Sequence, residues 1–150
     1  MSSPIPASHR SMRMSGKAFF ACGLWMIALG TYFVFLRPAL LPEDPRYIGV
    51  PLESLRVAAP GLERWLGHVF NVAGGFMVAA GTMTVLVAWR LRRLHGPGTF
   101  VALLVAGLAG VAMMSATNFV LQSDFRWLLL APSVLWAVGL VCYLREDVDS

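Results

Sequence analysis

The feature that most constrains this chain is a set of four apolar runs, each near twenty residues, separated by segments rich in charge, proline or glycine. At 1.5 Å per residue the first of them, residues 18–36, reaches about 28 Å, enough to cross the hydrocarbon core of a bilayer. In lipid only helices and closed barrels satisfy their own backbone hydrogen bonds. Barrel strands would alternate polar and apolar residues, and these runs do not. The reading is an all-α membrane protein: four transmembrane helices in an antiparallel bundle, a single domain over residues 1–150. Only 13% of the residues are charged, where a soluble domain carries roughly a quarter. The net charge of +4 and the pI near 9.7 raise nucleic acid as a partner. The basic residues flank the apolar runs instead of forming one stripe, however, so membrane topology accounts for them and no nucleic acid is expected.

Residues 1–17 form a basic tail holding Arg10, Arg13 and Lys17, with His9 read as solvated. The tail resembles the start of a signal peptide. The run behind it is too long for one and ends in Arg37-Pro38 without a small-residue cleavage site, so a retained first helix is expected. Residues 37–66 read as an outer loop. Pro38, Pro42, Pro45 and Pro51 predict an extended, semi-rigid stretch from Arg37 to Gly49. A short interfacial amphipathic segment follows, with Pro51 at its first helical position, Leu52, Leu55 and Ala59 on one face and Glu53 and Arg56 on the other. Trp65 reads as an interfacial anchor. The remaining spans are placed at about 67–89, 99–121 and 125–144, with His95-Gly96-Pro97-Gly98 turning the chain. Only residues 122–124 separate the last two spans, which makes them antiparallel neighbours. The compact cluster of Arg90, Arg92 and Arg93, with the basic tail, places both termini in the cytoplasm, and a bacterial inner membrane is expected.

With that orientation the polar residues inside the spans gather in the outer half. Tyr32, His68, Asn71, Ser115, Asn118 and Gln122 make up a candidate polar pocket. His68 and Asn71 are three apart and Asn118 and Gln122 four apart, so each pair shares a helix face. One reading is an outward-open pocket for the head of a lipid, a quinone or a small solute. The other is a set of interhelical hydrogen bonds that lock the bundle, worth about 0.6 kcal/mol each. As a haem ligand His68 would need a second histidine at its own depth, and His95 belongs to the opposite side. A zinc or copper site would need several convergent ligands, and Glu43, Asp44 and Glu63 have no ligand spacing. No catalytic residue, metal or cofactor is expected, a bound lipid or quinone being the small molecule such a pocket would take. No acid or base lies well inside a span, which argues against a proton-coupled pump or a voltage sensor. Cys22 and Cys142 read as free thiols on the reducing side.

Gly74, Gly75, Ala79, Ala80 and Gly81 read as one smooth flank of the second span, and Ala102, Ala106 and Gly110 as another on the third. Small residues let helix backbones approach, so both are expected to be packing surfaces, within the chain or between protomers. Through its length, span count and glycine-rich second span (WLGHVFNVAGG, residues 65–75), the outline resembles small four-span bacterial membrane proteins of the DoxX and DUF4345 kind. That resemblance implies a four-helix bundle and carries over no catalytic residue. MAPEG enzymes share the outline, but their glutathione-binding arginine and Asn/Glu pattern has no good counterpart in that stretch. The leading functional expectation is a non-catalytic accessory or scaffold subunit in the bilayer, packed against itself or other membrane-protein subunits. The alternative is a lipid-, quinone- or solute-binding protein, or an enzyme, that uses the outer polar pocket.

Overall fold

The structure, a computed structural model, describes residues 12–148. Expectations for His9, Arg10 and the rest of the tail before residue 12 lie outside them. The elements are α1 (Met14–Phe35), α2 (Glu43–Ile48), α3 (Leu52–Ala58), α4 (Leu62–Arg90), α5 (Pro97–Gly107), a π-helical turn (Leu108–Ala112), α6 (Met113–Val120) and α7 (Arg126–Val148). The π turn joins α5 to α6, so the third span runs continuously over Pro97–Val120. No strand occurs among the described residues. Four helices are long and apolar enough to cross a membrane. Large apolar side chains such as Phe76, Trp89 and Val120 lie exposed on their outer faces. A chain that turns so much apolar surface outward has lipid for a solvent. This is an integral membrane protein with a helical bundle.

The loop between the first two spans departs from the extended stretch expected over residues 37–49, because α2 forms inside it. Pro45 is the third residue of α2, in the first turn, where its missing N–H costs no helical bond. Glu43 and Asp44 occupy the same turn, where negative charge favours the helix dipole. Gly49, at φ 77°, ends the helix in the left-handed region and its N–H donates to Pro45 O. Pro51 caps α3 instead of opening it. The turn from Leu62 to Leu66 and the second span form one unbroken helix, since nothing between Leu62 and Arg90 interrupts the backbone hydrogen bonds. The fourth span continues past Leu144 to Val148.

In space α1 lies between α4 and α7, and the third span packs on α7. The four spans thus form an open row in the order second, first, fourth, third. Ser15 meets Glu146 and Gly16 faces Ala88 at the end that holds the 91–96 turn. Arg46 meets Asp124 at the other.

The α1–α4 contact is made by backbones. Gly23 faces Gly81, and Gly30 faces Gly74. A Cβ added at Gly30 would sit 2.6 Å from Gly74 O, and one added at Gly81 would sit 2.7 Å from Gly23 O. Gly16, Gly23 and Gly30 recur every seven residues, and so do Gly74, Gly81 and Ala88. A seven-residue repeat keeps one seam of each helix facing the other along a left-handed crossing. Gly74 and Gly81 are buried in this seam, whereas Gly75, Ala79, Ala106 and Gly110 are exposed. The flank read as one surface on α4 therefore divides between an inner and an outer face, because residues one apart stand about 100° apart around a helix.

The contact between α7 and the third span is made by side chains. Trp136 packs over Gly107, and its indole N–H donates to Leu103 O at 2.9 Å. Pro132 sits inside α7 and withholds the amide that would bond Leu128 O, loosening the helix at that turn. One turn away Ser115 Oγ lies 2.8 Å from Leu129 O, and Ser133 Oγ lies 2.8 Å from Val111 O in the π turn. The two hydroxyls are 2.6 Å apart. Phe19 meets Trp136 edge-on at 5.1 Å and ties this pair to α1. Tyr143 receives the Gly96 N–H at 2.8 Å and stacks on His95, which fixes the turn between the second and third spans.

Candidate functional site

At the loop end of the bundle α1, α2, α6 and α7 surround a cleft of about 460 Å³. Its walls are apolar, with Leu29 and Phe33 from α1, Leu121 and Phe125 from the turn between spans three and four, and Leu128 and Leu129 from α7. Tyr32, Arg37, Glu43, Asp44, Asn118 and Ser123 supply its polar lining. An apolar hollow with a few convergent polar groups is the form that binding sites for small organic molecules take.

The polar groups come from four parts of the chain: the end of α1 with the loop after it, α2, α6 and the turn that follows α6. Glu43 is only 4% exposed, because α2 folds its first turn down onto the turn after α6. There Ser123 Oγ donates to Glu43 Oε1 at 3.0 Å, while accepting the Phe125 N–H at 3.2 Å. The same seam is closed on its outside by Arg46 and Asp124 at 3.3 Å. Arg37 follows the last turn of α1 and lies flat on Phe70, its guanidinium carbon 3.5 Å from the ring centroid. It donates to Pro38 O at 2.9 Å and lies 3.9 Å from Asp44 Oδ2. Burial lowers the Arg37 pKa from its ordinary value and the nearby Asp44 carboxylate opposes that fall, so the guanidinium stays charged. Asp44 in turn accepts the Leu41 N–H at 2.7 Å, which fixes the loop entering α2. Asn118 donates to Met114 O on its own helix at 2.9 Å, leaving its amide oxygen as an acceptor.

Of the residues singled out from the sequence, Tyr32 and Asn118 line this cleft. Ser115 is buried against Ser133 and Leu129 in the contact between spans three and four. His68 and Asn71 are exposed on α4 and do not line the cleft. Gln122 is also exposed, at φ 50°. It takes the left-handed conformation that ends α6, and the Ser123 N–H reaches back to Asn118 O at 3.0 Å. Among the described residues no three His, Cys, Asp or Glu side chains converge as metal ligands would.

The sequence singles out neither Arg37 nor Ser123, and raises Glu43 and Asp44 only as metal ligands, because all four lie in segments that read as connections. The available signal was local. An acidic pair directly after Pro42 marks the first turn of a helix, and a helix there turns its first residues back toward the bundle. Comparison of the chain with protein-family models, curated proteins and solved structures gives no match in any of the three.

Proposed function

We propose that this protein binds the head of a membrane amphiphile, a lipid or a quinone, in the cleft at the loop end of the bundle. The observation that carries this reading is the pairing of a buried Glu43 carboxylate with an apolar cleft wall. A carboxylate removed from water is costly unless its oxygens are hydrogen-bonded. Among the described side chains Ser123 is its one hydrogen-bond donor, with the Arg37 charge nearby. A ligand hydroxyl or amine would supply a second, with its hydrocarbon part lying along Leu29, Phe33 and Leu128. Asn118 Oδ1 and the Tyr32 phenol are further acceptor and donor groups for the same head. The role is binding without turnover, in keeping with a lining that offers no activated nucleophile. The orientation that fits has both termini in the cytoplasm of a bacterial inner membrane and the cleft facing outward, since Arg90, Arg92 and Arg93 then satisfy the positive-inside rule. Kinship with four-span proteins of the DoxX kind is part of the same proposal.

The test is native mass spectrometry of the protein extracted gently from its own membrane, with Glu43→Gln and Asn118→Leu alongside. A stoichiometric small molecule on the wild-type chain, depleted in both variants while the bundle keeps its melting temperature, is the expected result. Equal retention by all three proteins would sink the reading.

A second reading, an accessory subunit, is favoured by the open row of spans. The first and fourth spans each make extensive contact with two others in the chain, the second and third with one. Another chain, or a second copy, would complete them. Its signature is an additional chain that stays with the protein in mild detergent.

A further inference from the structure

At the end of the bundle opposite the cleft, Arg13, Arg90, Arg92 and Arg93 surround a hollow of about 570 Å³, with Trp89 as its fifth lining residue. We propose that this hollow holds the phosphate of an anionic phospholipid. Three of the arginines lie at the end of α4, where cations also favour the helix dipole and the positive-inside rule. The positive-inside rule also accounts for Arg13 in the basic tail, but neither effect accounts for the convergence of all four arginines on one hollow. Arg13 precedes α1, and it reaches the hollow because Gly16 packs directly on Ala88. The close approach of two backbones thus converts a linear basic run into a ring.

Among the described residues the ring is short of counter-charge. Glu146, 4.0 Å from Arg13, accepts both the backbone N–H of Ser15 at 3.2 Å and its hydroxyl at 2.6 Å. Among the described residues no carboxylate pairs with Arg90, Arg92 or Arg93. Guanidinium groups present paired donors that match phosphate oxygens, and basic pockets between membrane helices are suited to lipid head groups. Two features point to a lipid as the source of the phosphate. Trp89 is 74% exposed, in the manner of side chains that settle among head groups. Arg90 also continues the helical stripe of Met83 and Val87, which line an apolar groove of about 540 Å³ between α4 and α5. An acyl chain attached to a phosphate at Arg90 would descend along that stripe.

The experiment uses the full chain, purified and exchanged into phosphatidylcholine nanodiscs with a minor share of phosphatidylglycerol. Retained lipids are counted by native mass spectrometry. Wild type is expected to retain phosphatidylglycerol over phosphatidylcholine, with the combined Arg90→Gln, Arg92→Gln and Arg93→Gln variant losing roughly a hundredfold in that preference. Arg13→Gln alone is expected to lose several-fold, and Arg64→Gln, an exposed arginine at the far end of α4, nothing, which separates the ring from general surface charge. Melting temperatures in pure phosphatidylcholine show that each variant is folded. Equal retention of the two lipids, or an Arg13→Gln variant that behaves as wild type, overturns the proposal. Displacement of the lipid by millimolar inorganic phosphate, with phosphate itself bound, also overturns it and assigns the ring to a free anion.

Discussion

The two outer contacts of the bundle are built on opposite principles. Between α1 and α4 side chains are removed until the backbones touch: Gly23 meets Gly81 and Gly30 meets Gly74. Between α7 and the third span side chains are added, and the helices are joined by Trp136, Ser115 and Ser133. Apolar side chains gain nothing by leaving lipid for one another, so helices there associate by close fit or by hydrogen bonds. These two contacts take one solution each. The fitted contact tolerates only regular helices, and α1 and α4 are regular. The hydrogen-bonded contact sits beside the two irregular turns, the one at Pro132 and the π turn, with Ser115 on Leu129 O and Ser133 on Val111 O.

The comparison can be broken most severely at the fitted contact. Gly81→Leu would place a branched side chain where a single Cβ already comes within 2.9 Å of Ile27 N. It is expected to cost ~3 kcal/mol or more, read as a collapse of the melting temperature in detergent. The hydrogen-bonded contact should be softer. Ser115→Ala is expected to cost about 1 kcal/mol, and combining it with Ser133→Ala should cost less than the sum of the two, because both hydroxyls belong to one network. An intermediate control lies at Gln122, whose φ of 50° strains any residue with a Cβ. Gln122→Gly should raise stability by up to about 1 kcal/mol, again by melting temperature. The smallest effect sharpens the contrast. Gly75 is adjacent to Gly74 but has nothing within 4 Å of its Cβ position, so Gly75→Ala should change stability by no more than about 0.5 kcal/mol.

The same contrast explains what could be read from the sequence. Four spans and their approximate limits followed from the apolar runs, because hydropathy over twenty residues reflects the solvent and not the neighbours. The seven-residue recurrence of Gly16, Gly23 and Gly30 against Gly74, Gly81 and Ala88 was also present in the sequence. Reading the consecutive small residues 74, 75 and 79–81 as a single flank concealed it. Ser115 is a different case. Whether a membrane serine bonds its own helix, a neighbour or a ligand depends on which carbonyl another segment leaves free, and no local pattern records that. The cleft was half legible for the same reason. Tyr32 and Asn118 lie on spans whose position was clear, but Glu43 and Ser123 enter it through the fold of a proline-rich connection.

The glycine seam has one further consequence. A repeat of seven specifies a face but not a registration, as two identical combs can mesh at several offsets. Sliding α4 along α1 by one repeat, about 10.5 Å, would still oppose two of the three small-residue pairs, Gly16 with Gly81 and Gly23 with Gly74. Something non-periodic must therefore select the offset. At the loop end Phe70 lies between Phe33, 6.0 Å away and edge-on, and the Arg37 guanidinium. That single stack has no counterpart one repeat away, and it serves as the pin that turns a sliding seam into a fixed address for the cleft beside it.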